Sequence, residues 1–124
     1  MSSDNDQFNS LVRFLLPEEL FDYFEIVHVM QDGVAINIHL DEINTPPEGY
    51  KKEDLITKGF HNSASVQDFP IREKPCYLHI RRRRWQVKTS GKIISRDWKL
   101  LAEGTRYTQS FATFLKGAFG LSSH

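Results

Sequence analysis

Two hydrophobic periods follow one another along the chain. At its start Phe8, Leu11, Val12 and Leu15 fall at helical spacing within residues 7–16, which predicts a short helix with one apolar face. Pro17 interrupts it. A proline suits the first turn of a following helix, and Glu18 and Glu19 sit where acids favour the positive helix end. A helical segment is therefore expected over 7–24, its second part presenting Leu20, Phe21 and Phe24. Residues 1–6 are polar and expected to be disordered.

The period then changes to two. Val34, Ile36, Ile38 and Leu40 alternate with Ala35, Asn37, His39 and Asp41, the pattern of a strand with one buried face. Asp32-Gly33 precedes this run, so a β-hairpin is expected over 25–41 with a type I′ turn, whose central residues need positive φ. Residues 42–58, with Pro46-Pro47-Glu48-Gly49, read as a loop with a helical turn near Lys52–Ile56. A weak strand is expected around Ala64–Gln67, ended by Asp68-Phe69-Pro70, because a residue before proline avoids the αR region. Pro75 is allowed at a strand start. After it Cys76, Leu78 and Ile80 alternate with Tyr77 and His79, Ser90-Gly91 marks a turn, and Lys92–Ser95 returns as a strand. Beyond them Tyr107, Phe111, Phe114, Leu115, Ala118 and Phe119 share one helical face, with Thr105 or Thr108 as the N-cap and Gly120 as the stop. That stripe reads as core, the other option being a surface for a following domain. The expected fold is a small α+β domain: a small antiparallel sheet built from hairpins 25–41 and 75–96 within a β-rich part over 25–104, N-terminal helices, and a C-terminal amphipathic helix over 105–119.

Composition narrows the function classes. A chain of 124 residues is one domain by length. No apolar run approaches the roughly 18 residues of a membrane span, and the polar, acidic start is not a secretory signal. The single cysteine, Cys76, can form neither an internal disulfide nor a Cys-type zinc site. A reducing cytoplasm is the expected address.

Charge changes the picture more. Lys plus Arg is 16 and Asp plus Glu is 16, so the formal net charge is zero. The zero is a cancellation. Residues 1–57 hold 12 acidic and 3 basic side chains, a net of −9, and residues 58–124 hold 13 basic and 4 acidic, a net of +9. Such asymmetry is itself a signal of a polyanion partner or of docking between halves.

The densest part of the basic half is Arg81-Arg82-Arg83-Arg84-Trp85. On a strand Arg81 and Arg83 face one way and Arg82 and Arg84 the other, with same-face side chains roughly 6.6 Å apart. Burying an unpaired arginine is too costly, so the strand is expected to leave the core near residue 81. The planar guanidinium fork suits phosphate. Lys88, Lys92 and Arg96 extend the patch, with Lys99 and Arg106 beyond, and Trp85 and Trp98 are candidates to stack or to cover the arginine stems. The competing reading is a solvated charged hairpin paired with the acidic half.

Other chemistry is thin. The histidines are scattered, and Cys76 and His79 should face opposite sides of their strand, so no metal site is expected and Cys76 reads as a small buried hydrophobe. Asp41-Glu42 and Glu53-Asp54 are adjacent acid pairs, while Asp68 and Asp97 sit by turns where Asx hydrogen bonding explains them. No nucleophile elbow or glycine-rich phosphate loop occurs, so no enzyme is expected and no cofactor.

One resemblance adds to this. His61-Asn62-Ser63, Val66-x-Asp68-Phe69-Pro70 and Pro75-Cys76-x-Leu78-x-Ile80-Arg81-x-Arg83-Arg84-Trp85 resemble the N-terminal region of bacterial insertion-sequence transposases of the ISL type. The opening from Phe8 to Phe21 is similar to the ISAon branch, in which this region is often a separate short reading frame. The likeness spans roughly residues 7–119. It implies a DNA-binding region of a transposase, which in the wider family is a zinc ribbon followed by a helix-turn-helix and a carboxylate-triad catalytic domain. Here the two cysteine-pair positions fall in the Asn44–Gly59 loop and in Gln86–Gly91, and neither holds a cysteine. The implied ribbon is thus degenerate, with no zinc, and catalysis is expected to lie elsewhere.

The resulting expectation is a non-catalytic DNA-binding part of transposition machinery, nucleoid-associated. Its partners would be element-end DNA and a catalytic transposase chain or domain. Arg81, Arg82, Arg83, Arg84, Lys88, Lys92 and Arg96 would contact phosphates, with Trp85 beside them. The alternative is a protein–protein interaction module in which the acidic half docks the basic half or a partner chain. In a further variant the acidic half screens the basic patch. Pairing of each guanidinium in Arg81–Arg84 with N-terminal carboxylates favours interaction; an open basic face favours DNA.

Overall fold

The computed structural model describes residues 10, 12–14, 16–103 and 109–121. The expected disorder of 1–6, the apolar positions Phe8, Leu11 and Leu15, the caps Thr105 and Thr108, and Tyr107 and Arg106 lie outside these residues. Residues 12–14 are helical, and the Leu16 N–H donates to the Val12 carbonyl at 3.2 Å. Pro17 then caps a 3-10 helix, Glu18–Asp22, that points the fully buried Leu20 inward.

Among the described residues seven strands follow, in two sheets: β1 Phe24–Gln31, β2 Ile36–Glu42, β3 Leu55–Phe60, β4 Ala64–Ile71, β5 Lys74–Arg81, β6 Arg83–Val87 and β7 Ile93–Ile94. The larger sheet has the order β1-β2-β5-β4 and the smaller β3-β6-β7. Helices α1, Trp98–Glu103, and α2, Gln109–Phe119, come last. The α+β class, with its C-terminal helix, is as the pattern predicts.

Alternation decides which face of the larger sheet is buried. Ile36, Ile38 and Leu40 of β2 and Cys76, Leu78 and Ile80 of β5 point inward, each at most 4% exposed. They meet Val12, Leu16, Leu20 and Phe24 and, from the helices, Trp98, Ala102, Phe111, Leu115 and Ala118. The described part of the terminal stripe thus packs on the core, Phe111, Leu115 and Ala118 buried and Phe114 and Phe119 partly so. Gly120, with φ of +62°, ends α2, and the Leu121 N–H reaches back to the Lys116 carbonyl at 3.1 Å, the six-to-one bond of a Schellman stop.

Four details differ from the sequence reading. The β1–β2 ladder closes at Gln31 and Ile36, so the loop has four residues and Gly33 does not take positive φ. Asp32 is the reason: its Oδ1 accepts the N–H groups of Val34 (2.8 Å) and Ala35 (2.6 Å), an Asx turn that replaces the type I′ geometry. Second, β2 and β5 are parallel, Ile36 opposite Cys76 and Asp41 opposite Arg81, so the sheet is not purely antiparallel. Third, part of the expected loop 42–58 is β3, preceded by a 3-10 turn at Lys52–Asp54. Fourth, β4 runs on through Pro70 to Ile71 with an irregularity after Asp68. It is an edge strand, where proline's missing N–H breaks no ladder.

The second hairpin is also divided. β5 belongs to the larger sheet and β6 to the smaller, with Arg82 as the residue between them. The chain does not leave the core at residue 81; it crosses into a second sheet where Trp85 and Ile94 are buried and the Trp85 Nε1–H donates to Asn44 Oδ1 at 2.9 Å.

Candidate nucleic-acid interface

The crossing at Arg82 sorts the four arginines by the strand period. Arg81 and Arg83 fall on one side, where both guanidinium carbons lie over the Phe60 ring, at 4.1 and 4.6 Å from its centroid. Both also meet the acidic half. Arg81 makes a two-pronged contact with Asp41, Nε to Oδ1 at 2.7 Å and a terminal nitrogen to Oδ2 at 2.6 Å. This is the fork-to-carboxylate geometry that arginine favours, and it raises the Arg81 pKa further. The Arg83 backbone N–H donates to Glu42 Oε1 at 2.8 Å and its Nε to the Glu42 carbonyl at 3.1 Å.

Glu42 is fully buried and has a second basic partner. Its Oε2 accepts Arg96 Nε at 2.9 Å. The Arg96 side chain is only 9% exposed. It also donates to the Thr45 carbonyl at 2.5 Å, and its guanidinium sits among the rings of Tyr23, Trp98 and Trp85. Burial pushes the Glu42 pKa up, and the bonds from Arg83 and Arg96 pull against that shift. Arg96 is therefore an internal cation holding β2 to the segment after β7, not a surface group for phosphate. Trp85, at 1% exposure, likewise offers no face to a base. Trp98 is buried in the main core.

Arg82 and Arg84 fall on the other side. The Arg82 guanidinium carbon lies 4.5 Å from the Phe119 ring centroid, and its buried Nε has no hydrogen-bond acceptor. Arg84 is exposed, on the face of β6 opposite Trp85. Neither forms an ion pair among the described residues, whose two salt bridges are Arg81–Asp41 and Arg96–Glu42. Lys88, Lys92 and Lys99 are exposed. Lys88 follows β6 directly, its backbone N–H donating to the Asp54 carbonyl at 2.9 Å.

Sequence reasoning missed His61 here. Its backbone N–H donates to the Arg82 carbonyl at 2.8 Å, and its Nε2 is 2.7 Å from Ser95 Oγ. Its pKa is lowered by burial and by the nearby charges of Arg82 and Arg84. The available signal was the register of β3 against β6, which is hidden because no position of β3 is fully buried.

A second missed grouping lies on the outer face of the larger sheet. His28, His39 and His79 stand in a row across β1, β2 and β5, with ring centroids 5.8 and 4.7 Å apart. They line a hollow of about 320 Å³ beside Asp41, Ser63 and Arg81. His39 is held below the ordinary histidine pKa by burial and then by its two neighbours. The row does not fit a metal. His79 uses both ring nitrogens, on Ser65 Oγ (2.8 Å) and Asn37 Oδ1 (2.7 Å). Cys76 points to the opposite, buried face. Among the described residues no cluster of three His, Cys, Asp or Glu side chains has ligating geometry, so these residues do not suit a ribbon's zinc.

Another hollow, about 700 Å³, lies between Tyr23, Pro46, Pro47, Tyr50, Arg96 and Leu100. Two of its polar side chains are engaged within the fold: Arg96 as above, and Asp97 Oδ1, which accepts the Leu100 N–H at 2.9 Å. No helix among the described residues is long and apolar enough to cross a membrane. In comparisons with known proteins the chain matches no family model, no curated protein and no solved structure.

Proposed function

We propose that the chain binds nucleic-acid phosphates through Arg82, Arg84, Lys88 and Lys92, as the non-catalytic DNA-binding part of transposition machinery that its motifs resemble. One observation carries the reading: the acidic half neutralises Arg81 and Arg96 with carboxylates and engages Arg83, yet leaves Arg82 and Arg84 without a counter-charge. Guanidiniums without carboxylates are the groups of this segment left to meet a polyanion. Phosphate contacts give affinity and register rather than base readout.

The interaction reading keeps a narrower place. The pairs Asp41–Arg81 and Glu42–Arg96 join the two halves within one chain, so docking of the acidic half is internal architecture. A partner chain would meet the remaining basic side.

Salt dependence tests the proposal. With four phosphates neutralised on duplex DNA, log K against log salt should fall with a slope of about −3.6. Arg82→Ala/Arg84→Ala should bring the slope to about −1.8, while Arg81→Ala should leave it unchanged in the folded protein. A flat salt response in the parent would overturn the reading.

A further inference from the structure

Three segments converge where the chain crosses between sheets. His61 follows β3, Arg82 is the crossing residue with Arg84 just beyond it in β6, and Ser95 follows β7. The His61 N–H bonded to the Arg82 carbonyl (2.8 Å) fixes the first against the second, and the His61–Ser95 contact (2.7 Å) fixes the first against the third. Gly59 lies two residues before His61 and supplies the backbone turn there. It has φ of +73° and lies at the irregularity in the β3–β6 ladder, with a terminal Arg84 nitrogen beside it, 4.0 Å from the place a Cβ would take.

We propose that His61, Ser95, Arg82 and Arg84 form one pocket for a phosphate group. This rests on the nucleic-acid reading above for the source of the phosphate, a backbone phosphodiester, but not for the pocket itself. The donor set matches the ligand. A guanidinium presents donors only, and two of them here carry no carboxylate. Ser95 is the adaptable member. When His61 Nε2–H donates to Oγ, the Ser95 hydroxyl hydrogen is free to donate to a phosphate oxygen. His61, Arg82 and Arg84 are the charged or titratable groups that meet there, and the charges acting on the ring are both guanidiniums. Without an anion they oppose a third positive charge. With a phosphate present, the imidazolium gains an opposite charge and becomes the favoured form. Phosphate binding should therefore take up a proton at His61.

The test is an NMR titration of the His61 ring in the full chain, with chloride at matched ionic strength as the reference. Inorganic phosphate should raise the His61 pKa by about 0.5–1 unit, an opposite charge at short range. His61→Gln and Ser95→Ala should each weaken phosphate and duplex DNA binding about 3–10-fold, the scale of one hydrogen bond. Both residues are exposed, so the variants should keep the parent's circular dichroism and melting midpoint, and Arg81→Ala serves as a control outside the pocket. An unmoved His61 titration, or two variants that bind like the parent, would overturn the pocket. Salt-dependent DNA binding that needs Arg82 and Arg84 but ignores His61 and Ser95 would reject the pocket and keep the nucleic-acid reading. A His61 response to phosphate in a protein that does not bind duplex DNA would keep the pocket, with a smaller phosphate compound as its ligand.

Discussion

Single residues carry opposite electrostatic demands in this chain. Glu42 is a buried carboxylate whose charge is tolerated because Arg96 and the Arg83 N–H surround it. Replacing it by glutamine keeps the shape and removes the charge, leaving Arg96 buried without a counter-ion. Breaking such a pair from one side typically costs about 3–5 kcal/mol, and Glu42→Gln should lower the urea unfolding free energy on that scale; a loss under about 1 kcal/mol would show the pair to be dispensable. His39 makes a pH prediction. Its folded pKa lies below the unfolded value, so the unfolded chain binds the proton more readily. The stability this supplies is complete above about pH 6.5 and is lost as pH falls through the lower folded value. His39→Gln should flatten that acid limb in melting-temperature profiles, and an unchanged limb would assign it to other groups. At this scale the sequence was informative about residue type and less so about fate. The strand period separated Arg81 and Arg83 from Arg82 and Arg84 in advance, but Asp41 and Glu42 lie 40 to 54 residues away from their arginines, and no local pattern links them.

Elements show where local chemistry decides and where pairing does. Asp32-Gly33 has the composition of a type I′ turn, yet the Asp32 carboxylate captures two backbone N–H groups and a wider loop results. Positive φ at two successive central residues appears instead at Arg72 (51°) and Glu73 (67°), between Ile71 and Lys74, which pair directly. Neither is glycine or asparagine, so the turn is imposed by the β4–β5 ladder. A left-handed L-residue costs roughly 1–2 kcal/mol, part of which a glycine's extra chain entropy offsets. Glu73→Gly should therefore stabilise the fold by about 1 kcal/mol in chemical denaturation; destabilisation would show that the Glu73 side chain holds the turn. Strand β3 was illegible for a different reason. Leu55–Phe60 has no fully buried position, so the alternation that reveals β2 is missing. The parallel contact of β2 with β5 was hidden too, because it joins segments separated by two other strands, and periodicity reports a strand's faces but not its neighbours.

At the scale of the whole molecule the net charge of zero resolves into a division of labour. The acidic half uses Asp41 and Glu42 to hold the basic half in place, and most of its other described acids are exposed. Glu53 and Asp54 are exposed in the 3-10 turn before β3, and the Asp54 carbonyl accepts the Lys88 N–H. They stand at the Lys88 end of the proposed phosphate-binding side. Two carboxylates there repel an incoming polyanion. For charges about 8 Å apart in water each repulsion is roughly 0.5 kcal/mol, somewhat over twofold in affinity. Glu53→Gln/Asp54→Asn should therefore tighten duplex binding about fivefold at low salt. Because that distance is close to the Debye length of about 8 Å at physiological ionic strength, most of the gain should vanish by 1 M salt. Neither side chain is in the core, so the gain is separable from stability, which a melting curve on the same samples checks. Equal affinity in parent and variant at low salt would mean that the acidic half does not screen the basic one, and that its surface charge faces away from the bound phosphates.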